Sequence, residues 1–364
     1  MQHNSSFRVA FEGSIMTKRI ALIPGDGIGI EVTTEATKVL KPLIQAQNLP
    51  FELVTFDWGA EKYLREGVSL PEGTLDRFRR EFDAIFIGAL GDPRVPSNQH
   101  AADILLGTRF GLDLYVNERP VKLLDVRLCP LRNCAERDVN FVVIRENTEG
   151  SYVGLGGNFK RDTSDEVAVQ EDVNTRKGVE RILVYAFEYA RRHGLKKLCM
   201  SDKANAMPSG HGLWQRTFAE VRKRYPEVES SHLYVDTLAM EMVRDPAQFQ
   251  VIVTCNLFGD ILSDLAAALQ GGLGLAPSAN IHPGKVSMFE PVHGSAPDLA
   301  GKNLANPMAA ILAVGMMLDH LGFPELAARV ENTVAEAIHQ HKTTADLGGT
   351  LGTREVGDWI CAHL

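Results

Sequence analysis

The sequence predicts an α/β fold in which helices cover a largely parallel sheet. Two observations carry this. Short apolar runs alternate with longer segments of helical periodicity. Polar and glycine-rich motifs fall just after several of the apolar runs, where open α/β sheets place their ligands. The first strand is Arg19–Ile23, followed by the turn PGDGIG and a helix through Val32, Ala36, Val39 and Leu40. Ala84–Leu90 is a second buried strand ending in a glycine-rich turn. Val139–Ile144, Lys197–Met200, His232–Val235 and Gln250–Thr254 are further strands, with helices at Lys177–His193 and His211–Arg224 between them. At roughly 150 residues per domain, 364 residues suggest two domains. No repeat or linker marks their boundary.

Composition narrows the function classes. With 45% apolar and 23% charged residues the chain is ordinary globular material, not disordered, collagen-like or a disulfide scaffold. Acidic side chains outnumber basic ones, 46 to 38, so neither nucleic acid nor an anionic membrane is an expected partner. An anionic ligand must be met by a few local arginines or lysines. The cysteines Cys129, Cys134, Cys199, Cys255 and Cys361 are odd in number and form no CxxC pair. That argues against a zinc ribbon or disulfide framework and fits a reducing cytoplasm. The apolar run Met308–Leu318 is far shorter than the ~20 residues a bilayer span needs. Residues 1–16 lack the apolar stretch of a secretory signal and are expected to be a flexible extension.

Five motifs bear chemistry. Pro24–Gly29 has the spacing GxGxG, not the GxGxxG of a dinucleotide fingerprint, and reads as a tight turn. Asp260 and Asp264 in NLFGDILSDL lie one helical turn apart. That spacing admits a hard cation between the carboxylates, or simply a solvated first turn favoured by the helix dipole. Ile261, Leu262, Leu265 and Leu269 are expected to be that helix's buried residues, and Gly271 and Gly272 its stop. Arg109, Arg119 and Arg145 are guanidinium forks that, if convergent, hold a substrate with two carboxylates. Tyr152 in RENTEGSY and Lys203 in SDKAN can move protons if neighbouring charge shifts them. Asp236 reads as a helix N-cap after a strand. Finally, Glu290–Pro307 is a long loop dense in turn formers, with Asn306 as N-cap and Pro307 opening the next helix.

Taken together, IPGDGIG, RENTEGSY, DKAN, NLFGDILSDL and FEPVHGSAPDLAGKNLANP recur in the order of one family. Over residues 18–364 the chain resembles the β-decarboxylating dehydrogenases, the isocitrate/isopropylmalate dehydrogenase family. The resemblance implies a fold that is not Rossmann, with two α/β domains and the active-site cleft between them. Residues 17–114 plus 271–364 would form the large cofactor-binding domain, and 115–270 the smaller substrate and dimerisation domain. It further implies a homodimer with shared active sites, Lys203 and Asp236 reaching into the partner's. Asp236, Asp260 and Asp264 would hold Mg²⁺ or Mn²⁺, with Asp236 also near substrate. NAD would lie on Glu290, His293, Gly294, Ser295, Ala296, Pro297, Asp298 and Asn306. Arg109, Arg119 and Arg145 would bind substrate carboxylates. Lys203 would act as the base at the hydroxyl, and Tyr152 would protonate the enolate left by CO₂.

Cofactor and substrate follow from single positions. The Asp298 carboxylate suits ribose hydroxyls and repels a 2′-phosphate; relatives using NADP carry Lys-Tyr where this chain has Asp298-Leu299. NAD is expected. Relatives using isocitrate carry Ser and Asn where this chain has Asp103 and Leu105; Asp103 would repel the extra carboxylate. Leu105 and Leu106 offer apolar surface, and burying an isopropyl group there contributes roughly 2 kcal/mol. That favours 3-isopropylmalate and leucine biosynthesis. Many isopropylmalate enzymes carry Glu where this chain has Ala102, and the RENTEG form also occurs in the tartrate/D-malate branch; a tartrate/D-malate dehydrogenase or a broad-specificity enzyme is the alternative. A non-catalytic regulatory subunit is disfavoured because Tyr152, Lys203, Asp236, Asp260 and Asp264 are all present. A phosphotransferase of the Walker type lacks its GxxxxGK[ST] loop here.

Overall fold

A computed structural model describes residues 17–135 and 138–364; the expectation for residues 1–16 lies outside them. In chain order the elements are β1 (Lys18–Gly25), α1 (Ile28–Ala46), β2 (Phe51–Thr55), α2 (Ala60–Glu66), α3 (Thr74–Glu81), β3 (Ala84–Ala89), α4 (Gln99–Gly111), β4 (Val116–Lys122) and β5 (Asn140–Glu146). There follow β6 (Gly156–Phe159), β7 (Val167–Gln170), α5 (Arg176–Arg192), β8 (Lys197–Asp202), α6 (Gly210–Val221), β9 (Glu229–Tyr234), α7 (Val235–Arg244), β10 (Val251–Thr254) and α8 (Asn256–Gln270). The chain closes with β11 (Pro277–Ile281), β12 (Ser287–Pro291), α9 (Met308–His320), α10 (Pro324–His339) and α11 (Thr353–His363).

Ten strands form one sheet in the order β2-β1-β3-β12-β11-β4-β5-β10-β8-β9. The first four are mutually parallel, and so are the last four. Between them β11 and β4 run antiparallel to their neighbours, so the two parallel blocks point in opposite directions. Strands β6 and β7 form a separate antiparallel pair.

Side-chain alternation places the core. On β1, β3, β5, β8 and β10 the residues Ile20, Leu22, Ala84, Phe86, Val142, Ile144, Leu198, Met200, Val251 and Val253 point to one face. There they join a cluster built with α1, α5, α6, α9, α10 and α11. The other face carries two separate clusters. One packs Ala21, Ile23, Ile85 and Ile87 against Phe78 of α3 and Ile104 of α4. The other packs Phe141, Val143, Cys199 and Ile252 against α7 and α8. Strands buried on both faces are what parallel sheets require, and they explain the unbroken apolar runs.

Several boundaries differ from expectation. β9 ends at Tyr234 and α7 begins at Val235, so Asp236 sits inside the first helical turn instead of capping it. α9 begins at Met308, one residue later than expected, but the Met308 N–H donates to Asn306 Oδ1 at 2.9 Å, the bond expected of Asn306 as a cap. Ile261 is 61% exposed, on the outer side of α8, while Leu262 and Leu269 are buried. Gly271 ends α8 with a left-handed φ of 117°, as expected.

The PGDGIG turn is fixed by backbone approach. Gly27 has φ 52° and ψ −127°. A Cβ there would lie 2.1 Å from the Ser295 carbonyl oxygen, which accepts from the Ile28 N–H at 2.8 Å. Gly27→Ala combines strained φ with a backbone clash, and we expect it to lower unfolding free energy by about 2–3 kcal/mol in urea titrations.

Candidate active site

The two clusters on the second face are separated by a band of buried polar side chains. Asn117 and Arg119 of β4, Ser278 and Asn280 of β11, Glu290 of β12 and Arg145 of β5 all occupy it. Strand register aligns them: Asn280 lies opposite Asn117, Asn117 opposite Arg145, and Ser278 opposite Glu290. Each stands where alternation would otherwise place an apolar residue. Polar groups at core-facing positions of a central sheet are unusual, and they single out this band as a candidate site.

The three arginines converge here. Arg109, in the last turn of α4, donates from Nη2 to Glu290 Oε1 at 2.8 Å. Arg145 Nη1 donates to Asp260 Oδ1 at 2.6 Å, and its Nε and Nη2 donate to Asn256 Oδ1. Arg119 Nη1 donates to Ser263 Oγ at 2.5 Å and lies 3.4 Å from Asp260 and 3.8 Å from Asp264. Burial and the nearby Arg119 charge push the Arg145 guanidinium down to about 10. Arg119 is lowered too, by burial first, against the pull of Asp260. Arg109 Nε and Arg119 Nε are buried and have no hydrogen-bonding partner among the described residues. Unpaired guanidinium donors beside other guanidiniums suit a carboxylate ligand.

A chain of amides supports the arginines. Asn280 Nδ2 donates to Glu290 Oε1 at 2.8 Å, on the atom that also accepts from Arg109. Asn147 donates to Asn280 Oδ1 and to the Leu114 carbonyl. Asn117 donates to Ser278 Oγ at 2.8 Å. Sequence reasoning did not single out Asn117, Asn147, Asn256, Ser263 or Asn280. The available signal was polar residues at alternate positions within VNERPVK and PSANI. Glu290, expected at the cofactor, has one oxygen held by Arg109 and Asn280.

Helix α8 brings Asp260 and Asp264 to the edge of this band. Burial pushes Asp260 up, but Arg145, Tyr152 and Arg119 outweigh it and hold the carboxyl below its ordinary value. Asp264 is raised by burial. Tyr152 donates from its hydroxyl to Asp260 Oδ2 at 2.6 Å, and the Arg145 guanidinium stacks on its ring. Burial and the Asp260 carboxylate both raise Tyr152, which keeps the phenol protonated. The sequence-predicted Tyr152, Arg109, Arg119, Arg145, Asp260 and Asp264 therefore share one site.

Lys203 and Asp236 form their own pair, 2.6 Å apart, and touch none of those groups in the same chain. Among the described residues no three His, Cys, Asp or Glu side chains gather to hold a metal ion. Leu105 packs against the cluster under β1 and β3, and Leu106 is half-buried outside the three clusters. The Asp103 carboxylate accepts from Ser69 and Gln99, so its oxygens are already engaged.

The 293–306 loop borders the PGDGIG turn, with Gly27, Glu31, Gly91, Arg94, Pro297 and Gly301 around one cavity. Asp26, another residue the sequence left unassigned, organises this side. Its Oδ1 accepts from Ala60 N–H at 2.6 Å, and its Oδ2 from Gly91 N–H at 2.9 Å and contacts His100 Nε2 at 2.8 Å. Asp298 is exposed on the loop, Gly294 and Pro297 are exposed, and Ser295 is buried. Ala296 takes a φ of 36°. His293 Nε2 is buried without a partner among the described residues, a polar atom available to a ligand seated on the loop.

Comparison with known proteins places this geometry. The family described as isocitrate/isopropylmalate dehydrogenase matches residues 19–360. A 3-isopropylmalate dehydrogenase of Thermobifida fusca is 44% identical over 96% of this chain and 99% of its own length. One of Nocardia farcinica is 47% identical over 94% and 99%. The crystal structure of isocitrate dehydrogenase from Methylococcus capsulatus superposes with a TM-score of 0.85 at 41% identity, covering 95% of this chain and 99% of that one. The converging arginines, the paired aspartates of α8 and the long 290–307 loop thus sit in a chain that belongs to the isocitrate/isopropylmalate dehydrogenase family.

Proposed function

We propose that the chain oxidises and decarboxylates 3-isopropylmalate to 4-methyl-2-oxopentanoate and CO₂ with NAD and Mg²⁺ or Mn²⁺, a step of leucine biosynthesis. The observation that carries this reading is the cluster of Arg109, Arg119 and Arg145, in which Arg109 Nε and Arg119 Nε are buried and unpaired among the described residues, next to two aspartates on one helix face. The three guanidiniums are offset by Glu290, Asp260 and Asp264, so a divalent cation leaves an excess suited to a substrate with two carboxylates. The arginines bind and orient those carboxylates.

Asp260 and Asp264 are oxygen donors of the type a hard cation takes. Two carboxylates are too few to enclose it, and Asp236 of the partner subunit would be the third. When bound, the cation supplies Lewis acidity at the hydroxyl being oxidised. Lys203, paired with Asp236, would come from the same partner and take the hydroxyl proton. Tyr152, held protonated by burial and Asp260, donates a proton to the carbon that loses CO₂. NAD would lie on the 293–306 loop, with Asp298 toward the ribose, His293 beside the base and Glu290 at the inner end.

A homodimer accounts for the exposed apolar surface. Met240 and Val243 of α7 and Leu257 and Ile261 of α8 are exposed, as are Leu155, Phe159, Val167 and Val169 around the β6–β7 pair. Apolar residues so concentrated fit a second copy of the chain. The domain division at 114/115 and 270/271 suits a sheet whose two parallel blocks meet at β11 and β4.

One observation favours a second reading, the decarboxylating oxidation of D-malate or tartrate. Leu105 is partly committed to the core, which leaves less of it for an isopropyl group.

Three measurements test these readings. With NAD and Mg²⁺, kcat/KM for 3-isopropylmalate should exceed that for D-malate by about thirtyfold, the equivalent of roughly 2 kcal/mol of apolar burial. Preference for D-malate, tartrate or isocitrate would overturn the substrate assignment. Lys203→Ala and Arg109→Ala should each be inactive, and a refolded equal mixture should regain roughly a quarter of wild-type activity through heterodimers. No recovery, with heterodimers demonstrated, would mean self-contained sites. Asp298→Lys should raise KM for NAD and lower it for NADP, read from initial rates; an unchanged ratio would remove that carboxylate from the ribose.

A further inference from the structure

The opposite face of the sheet carries a second crevice, away from the arginine band. Its floor is β4 and β11, its walls α5 on one side and α9 and α10 on the other. Each parallel block of the sheet therefore contributes one wall. At the bottom lies Glu118, flanked on β4 by Asn117 and Arg119 but pointing the other way, and opposite Ala279 of β11. The Tyr185 hydroxyl donates to Glu118 Oε1, while Oε2 has no hydrogen-bonding partner among the described residues. Burial lifts this carboxyl to about 7, against the pull of Tyr185 and Arg192. The proposed reaction uses none of these groups.

We propose that this crevice is a second ligand site, taking a small organic ammonium with an apolar body. Glu118 supplies the countercharge at the floor, and Asp319 of α9 adds a second carboxylate at the rim. Asp319 makes no ion pair among the described residues. Tyr185 and Tyr189 present aromatic rings, which favour an ammonium. Leu312, Met316 and Phe289 offer the apolar surface. Arg192, whose guanidinium lies 5.5 Å from the Tyr185 ring centre, stands at the edge and admits a ligand carboxylate as well. The site stands independently of the dehydrogenase assignment, because its occupancy is read without substrate or NAD.

Binding should depend on pH, since the ammonium needs Glu118 ionised. The other groups facing the crevice are Tyr185, Tyr189, Arg192 and His193 from α5 and its end, Asp319 and His320 from α9, and Glu331 of α10, which pairs with Lys122. His193 and His320 are both lowered by burial, so they add little positive charge above pH 6.5. The experiment is isothermal titration of the apo full-length protein with 3-methylbutylammonium, at about pH 8 and about pH 5.5. Leucine is the second probe, because it is the same chain bearing a carboxylate. We expect saturable binding at the higher pH, weakened at least about tenfold at the lower pH and in Glu118→Gln. Asp319→Asn, an exposed change, should weaken it severalfold. Tighter binding of leucine than of the amine would assign the class to amino acids through Arg192. No saturable binding of either probe at about pH 8, or equal binding by Glu118→Gln, overturns the proposal.

Discussion

Three guanidinium groups buried on one face of a sheet form the constraint on which the rest of the architecture turns. An unpaired buried charge costs several kcal/mol, so each arginine requires fixed partners. Those partners come from different parts of the chain. Glu290 of β12 meets Arg109 of α4, and Asp260, Asn256 and Ser263 of α8 meet Arg145 and Arg119. Helix α8 lies so close that a Cβ on Gly259 would sit 2.6 Å from Arg145 Cβ. A larger residue there would lift the aspartates away from the arginines. The apolar clusters on either side of the band hold its walls apart while the hydrogen bonds hold its contents together.

Pairing in the band is incomplete, and this is the chemically useful part. The lowered pKa of Arg145 reflects burial first and then the neighbouring Arg119 charge, which Asp260 offsets only in part. Two buried Nε–H donors remain free among the described residues. A site of this kind suits an anion, whose binding would complete the hydrogen bonding that folding left open. The side of the 293–306 loop is organised by a different device. Asp26 gathers backbone and side-chain donors from three segments around the PGDGIG turn, and so ties that turn to the loop after β3, the start of α2 and His100 of α4.

Strand β4 links the two faces. Arg119 and Asn117 look into the arginine band, and Glu118 between them looks into the rear crevice. β4 and β11 are also where the two oppositely directed parallel blocks meet.

Sequence alone determined the layered α/β class, because strands buried on both faces leave unbroken apolar runs such as AIFIGA and VIVT. It also marked Asp260 and Asp264 on one helix face and the arginines as anion binders, since helical spacing and guanidinium chemistry are local properties. No apolar run marks β4, β11 or β12, because the polar band interrupts their alternation; the residues that build the site hid the strands that carry them. Whether Arg109, Arg119 and Arg145 converge was decided only by the tertiary structure. So was the separation of Lys203 and Asp236 from Asp260 within one chain, and the engagement of Asp103 by Ser69. Each depends on strand order and helix placement, and no local pattern in a chain records which distant segments its sheet will bring side by side.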